Sequence, residues 1–586
     1  MTTGDAHNTL DDDRARRLRE SEELLFTGPQ RLGVAKGLFL GRFASDWVMP
    51  YPTLAPDQQQ ALDALMPRLR QFLDDTLDPV AIDRAADIPR EVIDGLGRLG
   101  VLGLAAPTEF GGQGFSQLAY CHVLEEIGAR CASTSVFVNA HHSIGLRALV
   151  LFGSPAQKAR WLPPLARGEQ LAAFALTEPH AGSDAANVQT LAERTDDGSA
   201  YVLNGEKRYI TNAAIAQVLT VMARTDRGVT AFLVTPDMPG FSVTEARMSK
   251  LGIRGTATGR LAFHNMRVPA ENVLGSPGEG LKLALTVLDF GRTTFGACCT
   301  GAAKTCLRLA VAHATTREQF GRTLSDFELI KKKIAGMAAD TYAMEAMTTV
   351  TASLIDRGLE DYMIETAMLK VYTTEALWTI VNDAFQIHGG AAYFTDLPLE
   401  RMLRDARINQ IGEGANEVLT SFIALAGMRG PGVQLRDLWH ALHHPLADLG
   451  TVWRFGVERV SAAVRAPDVP VRDPRLSPYA QRVGKLIRRL NIEVSRVLIH
   501  HRESVLDRQY VQQCIAGAAV ELFVCACVLS RADAELAATA DPKDGDMKVV
   551  ELCLRRSLRR VRRWLAKLHD NDDLLVTAAA DAALGE

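Results

Sequence analysis

The sequence predicts an α+β fold in which a central antiparallel β domain interrupts an otherwise helical chain. Apolar residues recur at helical spacing before residue 171. Short segments rich in β-branched and aromatic residues then extend to residue 278, and long helical patterns resume after it. The predicted regions are an N-terminal extension (1–55), a helical domain (56–171), the β domain (172–278), a second helical domain (279–430) and a C-terminal helical extension (431–586).

The helical regions are predicted from periodicity, and their limits from turn residues. Leu62, Leu65 and Leu69 lie at helical spacing near the start of the first helical domain. The Gly–Pro–Gly sequence at 430–432 predicts the boundary of the extension, and the proline-bearing stretch 466–478 predicts a flexible connection within it. The β domain is predicted from the segments AAFALTEP, YVLNGEKRYITN, QVLTVMART, VTAFLVTP and GRLAFHNMRVP.

Composition restricts the classes of function. The chain has 586 residues, a formal net charge of −4 and nine cysteines. It therefore has no global attraction to nucleic acid, and the absence of a CxxC pair favours neither a disulfide framework nor a zinc site. The N-terminus has no apolar signal region, the acidic run Asp11–Asp13 opposes a transit peptide, and no uninterrupted run of 18 apolar residues occurs. We expect a cytoplasmic protein that neither spans a membrane nor binds nucleic acid.

The segment RDARINQIGEGANEV (404–418) contains the strongest candidate for a catalytic residue. Glu413 lies between Gly412 and Gly414, immediately before an apolar helical pattern. Flanking glycines let the backbone approach a ligand closely, and N–H groups at a helix start can hold a carbonyl oxygen. A carboxylate beside such donors suits removal of a proton α to a thioester. The alternative is a surface loop acid or a charge at the N-terminus of a helix.

Two strand segments contain candidate ligand-binding residues. AFALTEPHAGSDAANVQT (173–190) places Thr177 and Ser183 hydroxyls near a turn, where they can bond a polar ring edge; an ordinary hairpin turn is the alternative. In NGEKRYITNAA (204–214), strand alternation puts Tyr209 and Thr211 on one face, which suits a flat heteroaromatic cofactor. Ordinary strand packing gives the same pattern.

Charged residues in the helical segments give weaker signals. Arg292 in LDFGRTT and Arg317 in TREQFGR can hold phosphate by charge-assisted hydrogen bonds, whereas most helix-borne arginines are solvated. His388 in FQIHGGAAYF has no histidine or carboxylate at ligand spacing. We therefore interpret it as structural and predict no metal site.

Taken in this order, these segments resemble the acyl-CoA dehydrogenase family. LTEPHAGSDAA resembles its flavin-and-thioester signature, and RDARINQIGEGANEV resembles its C-terminal catalytic signature. FLGRFASDWVMPYP, REQFGRTLSDFELIKKKIAGMA and LDRQYVQQCIAGAAVELFVCACVLSRA resemble its very-long-chain branch. The resemblance covers nearly the whole chain after the first 32 residues, and it implies that the second helical domain is a four-helix bundle.

The resemblance implies a role for each matching residue. Glu413 matches the catalytic base. The positions that match substrate contacts are Ser183, Asp289, Arg292, Gly412 and Gly414. The positions that match FAD contacts are Phe174, Leu176, Thr177, Ser183, Tyr209, Ile210, Thr211, Arg317, Gln319, Phe320, Gln386, Gly389, Gly390, Ala415 and Asn416. The segments around Arg317 and Gln386 match those that hold FAD across a subunit interface, which implies a homodimer.

The implied reaction is FAD-dependent dehydrogenation of a long- or very-long-chain acyl-CoA. Glu413 takes the pro-R α-proton while a β-hydride passes to flavin N5, which gives a trans-2-enoyl-CoA. The electrons then pass to an electron-transfer flavoprotein. The alternatives on the same scaffold are an acyl-CoA oxidase that uses O2 and a non-catalytic flavoprotein that acts as an assembly or binding factor.

Several residues depart from the family pattern. Gly412 stands where most relatives have Tyr or Phe, and the missing ring predicts tolerance of branched or bulky acyl chains. Ala415 replaces the usual Thr, which removes one hydrogen bond toward FAD, and Tyr209 replaces the commoner Trp. Some members carry their base on an earlier helix; the equivalent position here is near Gly291, which cannot act as a base.

Residues 431–586 contain no catalytic motif, but they suggest peripheral membrane contact. In LRRSLRRVRRWLAKL (554–568), apolar residues form one face and basic residues cover the rest. This pattern suits an anionic bilayer surface or, alternatively, a helix packed on its neighbours. The stretch 435–465, with Trp439 and Trp453, is a second candidate for membrane contact.

Overall fold

The computed structural model describes residues 31–443, 465–538 and 544–585, and these residues form two compact units. The described part of the first unit is Ala55–Gly301. The second unit contains Arg31–Leu54 and the residues from Ala302 onward. Residues 1–30 of the predicted N-terminal extension lie outside the described residues, as do most of the membrane-contact candidate at 435–465 and the side chains of both its tryptophans.

Helices and strands are numbered here in chain order. The helices are α1 (Val34–Phe39), α2 (Ser45–Val48), α3 (Pro56–Thr76), α4 (Pro79–Ala85), α5 (Arg90–Arg98), α6 (Gln117–Gly128), α7 (Ala132–Asn139), α8 (Arg147–Phe152), α9 (Pro155–Ala166), α10 (Gly280–Thr316), α11 (Glu328–Asp356), α12 (Met363–His388), α13 (Leu399–Arg407), α14 (Asn416–His443), α15 (Ser477–His501), α16 (Gln509–Ala538), α17 (Asp544–Lys567) and α18 (Asp573–Leu584). The strands are β1 (Ala172–Ala175), β2 (Leu191–Arg194), β3 (Ala200–Ile210), β4 (Val218–Thr225), β5 (Gly228–Val234), β6 (Phe241–Glu245), β7 (Gly259–Pro269), β8 (Val273–Leu274), β9 (Glu318–Gln319) and β10 (Arg322–Thr323).

The main sheet of the first unit is mixed. Its order is β6-β7-β3-β2-β4-β5-β8, and β1 pairs with β4. Most neighbouring pairs are antiparallel, but β1 and β2 each pair with β4 in parallel. The predicted central β domain is confirmed and is mainly antiparallel, but these two pairs make the sheet mixed. The long connection from β1 to β4, which contains β2 and β3, gives the chain the length that a parallel pairing requires.

The strands β1 and β4 lie at the centre of the first unit, with both faces covered. In β4, Met222 belongs to one apolar cluster and Val221 to the other. In β1, Phe174 and Ala173 divide in the same way. Because residues of a strand alternate between faces, a strand buried on both faces is fixed from two sides. The loop that leaves β1 therefore starts from a rigid element.

A π-helical turn at Ala140–Leu146 packs directly against β1. His141 Nδ1 accepts a hydrogen bond from the Ala172 N–H at 3.0 Å, and its Nε2 lies 3.1 Å from the Leu102 carbonyl oxygen. Burial lowers the pKa of His141 to about 4. The ring is therefore neutral at physiological pH, with one donor for Leu102 and one acceptor for Ala172, and it holds the start of β1 in place.

In the second unit, the predicted boundary at 430–432 is not a break in secondary structure. Helix α14 continues through Gly430, Pro431 and Gly432. Close packing supports the helix just before this point: a Cβ on Gly427 would lie 2.2 Å from the ring of Phe39. The local helix-breaking tendency of glycine and proline is outweighed by this tertiary contact.

The proline-bearing stretch 466–478 is not a free connection either. The Asp533 carboxylate on α16 accepts hydrogen bonds from the Arg472 N–H at 2.6 Å, the Arg472 Nε at 2.8 Å and the Asp473 N–H at 3.0 Å. Leu476 is fully buried. The prediction of a flexible connection was wrong because composition alone does not show a buried carboxylate that collects the backbone N–H groups.

The helix α16 is long and apolar enough to cross a membrane by length and composition, with a mean hydropathy of 1.9 in its best 18-residue window. The sequence predicts no span because the uninterrupted apolar run around Val520–Leu529 is short and Glu521 lies within it. In the structure 89% of that window is buried inside the protein. Such burial is typical of a core helix, so the composition is weak evidence for a span.

The basic helix α17 packs on its neighbours. Its apolar residues Leu554, Leu558, Val561 and Leu565 are all buried. Two of its arginines also point inward, since Arg556 pairs with Asp340 at 2.9 Å and Arg560 with Glu521 at 3.1 Å. The structure therefore supports the packed-helix alternative for residues 554–565, and their apolar side chains are not available to a bilayer.

Candidate active site

The residue predicted as the base, Glu413, stands on an unusual turn in the second unit. A 3₁₀ turn at Ile408–Gln410 precedes it, and the Gly412 N–H donates to the Ile408 carbonyl at 2.9 Å. Glu413 has φ 57° and Gly414 has φ 97°. A residue with a side chain costs about 1–2 kcal/mol in the left-handed region, and such strain persists where the surroundings fix it, often at functional sites.

A buried lysine on α12 holds the far side of this turn. The Lys370 ammonium lies 2.7 Å from the Gly414 carbonyl oxygen and 2.8 Å from Asn416 Oδ1, and the side chain is fully buried. Asn416 Nδ2 in turn donates to Thr374 Oγ1 at 3.0 Å and to Glu375 Oε1 at 2.7 Å. The first residue of α14 is thereby tied to α12, and the predicted cofactor contact of Asn416 stays a prediction.

The two glycines beside Glu413 differ in whether the structure has room for a side chain at their position. A Cβ on Gly414 would lie 3.2 Å from the Leu419 side chain, and its positive φ disfavours any L side chain. A Cβ on Gly412 would meet only the Ile408 carbonyl oxygen, at an ordinary contact distance of 3.6 Å. The backbone therefore strongly favours glycine at 414 but has room for a side chain at 412. The next residue, Ala415, is half-buried.

In the first unit, the loop after β1 carries several of the predicted cofactor contacts and is pinned by a buried ion pair. Lys207 Nζ on β3 lies 2.6 Å from Glu178 Oε1 and 3.1 Å from the Leu176 carbonyl oxygen. Both charged side chains are buried. Glu178 also accepts from the N–H groups of Gln189 and Thr190. The two ends of the loop are thus fixed to one carboxylate.

The charges of this pair follow from its surroundings. Burial lowers the pKa of Lys207 to about 8, even though Glu178 opposes the shift. Burial likewise disfavours the ionised form of Glu178, but Lys207 and the surrounding hydrogen bonds outweigh it and hold the pKa of Glu178 below its usual range. The pair is therefore ionised near neutral pH, and each charge depends on the other.

The structure brings the loop after β1 beside the end of β3. The Arg208 N–H donates to the Thr177 carbonyl at 2.9 Å. However, the strand is not regular there: Tyr209 has φ 62°, and the pairing with β7 shifts register between Lys207 and Ile210. The predicted regular alternation of Tyr209 and Thr211 was therefore wrong, because the bulge reorients Tyr209 and leaves its side chain 55% exposed.

The predicted substrate contacts on α10 form an ion pair of their own. Arg292 Nη1 lies 2.9 Å from Asp289 Oδ1, and both side chains are buried. The i,i+3 spacing places them on one face of the helix. Contact of either residue with an acyl-CoA stays a prediction.

Within the second unit, the segments that contain Arg317 and Gln386 lie side by side. Arg317, Gln319 and Phe320 belong to the hairpin β9–β10 and its approach. Gln386 lies in the last turn of α12, and Gly389 and Gly390 begin the 3₁₀ turn that follows it. The rings of His313 and His388 stack across the two segments, with their centroids 4.3 Å apart. The structure thus brings together these two predicted FAD-binding segments.

In each unit taken by itself, the predicted cofactor contacts have features that suit a heteroaromatic cofactor with phosphate groups. A Cβ on Gly182, Gly321, Gly389 or Gly390 would meet nothing within 4 Å, so the backbone at each position is open to a ligand. The Phe320 ring is 92% exposed. The exposed Ser183 hydroxyl and Arg317 guanidinium supply polar groups of the kind that bind ring edges and phosphate.

Sequence reasoning missed the residues that hold these loops. Lys370, Lys207 and Glu178 lie within segments that were singled out for other residues or not singled out at all. A signal for Lys370 exists in MLKVYTTEAL, where one lysine interrupts an apolar helical face. His313 gave no comparable signal, because its stacking partner is 75 positions away.

Comparison with known proteins assigns most of the chain to family models. The N-terminal, middle and C-terminal domain models of acyl-CoA dehydrogenase match residues 57–169, 173–266 and 278–428. A model described as the C-terminal domain of ACAD9/ACADV matches residues 474–581.

Individual proteins agree with these models. The mitochondrial very long-chain specific acyl-CoA dehydrogenase of Rattus norvegicus is 33% identical, over 92% of this chain and 84% of its own length. A probable acyl-CoA dehydrogenase of Mycobacterium tuberculosis is 34% identical, over 96% of this chain and 90% of its own length. A crystal structure of an acyl-CoA dehydrogenase complexed with FAD from Bacillus anthracis has a TM-score of 0.78 and 28% identity, and it covers 93% of this chain and 94% of that chain. The chain is a member of the acyl-CoA dehydrogenase family of flavoprotein oxidoreductases.

Proposed function

We propose that this enzyme uses FAD to dehydrogenate long- or very-long-chain acyl-CoA thioesters to trans-2-enoyl-CoA, with Glu413 as the base. The left-handed turn that presents Glu413, held from behind by Lys370, is the observation that carries the proposal. The very-long-chain relative and the match of the C-terminal model to residues 474–581 support the chain-length class.

The protein contributes position and proton transfer to this reaction. The Glu413 carboxylate removes the α-proton, and the Glu413 N–H holds the thioester carbonyl oxygen, on which negative charge develops as the proton leaves. FAD, when bound, would supply the redox chemistry as the acceptor of the β-hydride. Thr177, Ser183 and the bulged end of β3 are proposed to hold the flavin, and Arg317, Gln386 and the glycines after α12 the rest of the cofactor.

The proposed electron acceptor is an electron-transfer flavoprotein, in line with family membership, and the proposed assembly is a homodimer. The exposed aromatic side chains Phe320, Tyr393 and Phe394 support an assembly in which a second copy covers this part of the second unit. Oxygen consumption by the reduced enzyme at the rate of turnover would instead favour the oxidase alternative.

The role of Glu413 is tested by Glu413→Gln, which keeps the size of the side chain and removes the base. We expect anaerobic bleaching of the flavin by a saturating acyl-CoA to slow by at least about 100-fold, the lower range for general base catalysis. The matched control is Glu417→Gln, an exposed acid on the first turn of α14, which should bleach at the parental rate. Parental bleaching in Glu413→Gln would show that another group is the base.

The proposed tolerance of branched chains is tested at Gly412. Because a Cβ fits at this position, Gly412→Tyr should fold and should fill the space that a branched chain would need. We expect kcat/KM for 2- or 3-methyl acyl-CoA to fall at least about tenfold relative to linear substrates, the lower value for one misfitted methylene in an apolar pocket. Gly412→Ala is the control, and an unaltered branched-to-linear ratio in the Tyr variant would refute the idea.

A further inference from the structure

We infer that Lys370 is a positioning residue for the reaction: its buried ammonium fixes the turn that aims Glu413. The inference rests on the proposed role of Glu413. In the proposed role, Lys370 contacts neither the substrate nor the flavin. It acts through the backbone, by binding the Gly414 carbonyl oxygen at 2.7 Å and the Asn416 side chain at 2.8 Å.

The turn needs an external hold because its own residues do not fix it. Glycine occupies positive and negative φ about equally, so Gly414 by itself permits several courses of the chain. Glu413, in contrast, is in a region that costs a side-chain-bearing residue free energy. Left alone, the pair would relax toward a conformation with Glu413 at negative φ.

Two sets of hydrogen bonds prevent this relaxation. Upstream, the Gly412 N–H is held by the Ile408 carbonyl at 2.9 Å. Downstream, Lys370 holds the Gly414 carbonyl, and it also holds Asn416, whose amide is bonded to Thr374 on the same face of α12. Glu413 is the residue between these fixed points, so its carboxylate and its N–H are both directed by them.

A purely structural role explains Lys370 poorly, because burying an ammonium between α12 and α14 costs free energy that an apolar side chain would not. Burying an ammonium costs several kcal/mol unless hydrogen bonds replace its water. A leucine or methionine would fill the same core space without that cost. The gain that an ammonium offers is short, charge-assisted hydrogen bonds, which fix an acceptor more tightly than neutral donors do.

The test is Lys370→Met, purified with FAD bound and compared with Arg531→Met. Arg531 is a largely buried cation in the same unit that pairs with Glu345 at 2.7 Å and has no part in the turn. We expect Lys370→Met to slow flavin bleaching at saturating acyl-CoA by about 100-fold with little change in KM, as misplacement of a reacting group by about 1 Å predicts. Arg531→Met should lower the thermal midpoint and leave the bleaching rate within about threefold of the parent.

A second measurement isolates the proton transfer. A 3-thia-acyl-CoA can lose its α-proton but has no β-hydride to give, so the long-wavelength absorbance of its anion beside oxidised flavin reports deprotonation alone. This absorbance should appear about 100-fold more slowly in Lys370→Met at matched FAD content. A role limited to stability would lower the thermal midpoint and leave the rate of its appearance unchanged.

The outcomes separate this inference from the proposed function. If Glu413→Gln bleaches normally, the assignment of the base fails and the inference fails with it. If Glu413→Gln is inactive but Lys370→Met bleaches within about threefold of the parent, the base stands and the positioning role is refuted. If Lys370→Met does not fold, Lys370→Gln decides: its uncharged, shorter side chain should slow bleaching about tenfold, and a parental rate would refute the inference.

Discussion

Two loops of this enzyme are held by fully buried lysines, but the lysines have different partners. In the first unit, Lys207 holds the loop after β1 through the Glu178 carboxylate and the Leu176 carbonyl. In the second unit, Lys370 holds the turn that contains Glu413 through the Gly414 carbonyl and the Asn416 amide oxygen. Both lysines thus fix a backbone segment that carries predicted site residues: Lys207 binds a carboxylate and a carbonyl, and the bonds of Lys370 include a carbonyl and an amide oxygen.

Because their partners differ, we expect the loss of each lysine to affect stability and reaction rate to different extents. Removal of Lys207 strands a buried carboxylate, whereas the acceptors that Lys370 binds in the turn, a carbonyl and an amide oxygen, are each less costly to leave unpaired than a carboxylate. Yet the segment that Lys370 holds presents the proposed base itself. We therefore expect the first lysine to contribute more to folding and the second to contribute more to the reaction rate.

The largest expected effect is on the stability of Lys207→Met. Loss of one partner from a buried ion pair typically costs about 3–5 kcal/mol, whereas Lys370→Met should cost about 1–3 kcal/mol from unsatisfied acceptors. The measurement is the unfolding free energy of both variants in urea at one FAD concentration. The double variant Lys207→Met/Glu178→Met should recover part of the loss, because it removes the unpaired charge as well.

Equal unfolding free energies for Lys207→Met and Lys370→Met would contradict the expectation that Lys207 contributes more to stability. The expectation also fails if the double variant is no more stable than Lys207→Met, because the cost would then come from packing and not from the unpaired carboxylate.

Glu365 on α12 is a buried acid that can be compared with Glu178. Glu178 pairs with a buried lysine, whereas Glu365 accepts a hydrogen bond from a backbone N–H. Its carboxylate accepts from the Ala35 N–H at 2.8 Å, and burial raises the pKa of Glu365 to about 7. Asp361 opposes its ionisation further, and Lys36 favours it. The folded state therefore binds this proton more tightly than the unfolded state, whose carboxyl titrates near 4.5. The stability that comes from this group is complete below pH 4.5 and is lost as the pH rises through about 7.

Glu365→Gln should remove this dependence while its amide oxygen still accepts from Ala35. Relative to the parent, the variant should be more stable by less than about 1 kcal/mol at pH 5 and by about 3 kcal/mol at pH 8, the equivalent of a shift of some 2.5 pKa units. Unfolding at the two pH values measures this difference. A variant that is no more stable than the parent at pH 8 would show that the folded protein keeps Glu365 ionised at little cost.

The sequence was sufficient for elements whose periodicity matches their burial. The stripe Leu62, Leu65 and Leu69 is buried as its spacing predicts, and the apolar face of α17 is too. It was insufficient where a tertiary contact overrides a local preference. Helix α14 passes through Pro431, and the stretch 466–478 is fastened by Asp533, because in each case the deciding partner is distant in the chain.

In the candidate site, too, features set by local sequence were predicted and features set by distant contacts were not. The Gly–Glu–Gly sequence identifies the turn around Glu413 from local residues alone. The left-handed torsion at Tyr209 was not predicted, because a bulge depends on the register of β3 against β7. Lys370 was missed for a similar reason, since its acceptors are 44 and 46 positions further along the chain.

The smallest expected effect on stability compares the glycines on either side of Glu413. Gly414→Ala places a Cβ at φ 97° and 3.2 Å from Leu419, so it should cost about 1–2 kcal/mol of stability. Gly412→Ala, where the Cβ meets only the Ile408 carbonyl oxygen at 3.6 Å, should be neutral or slightly stabilising. Because the first change also displaces the carbonyl that Lys370 holds, Gly414→Ala should slow flavin bleaching while Gly412→Ala does not. Equal bleaching rates in the two variants would show that the course of the chain after Glu413 does not govern proton removal. The contact of Lys370 with the turn would then be structural, like the contact of Lys207 with the loop after β1.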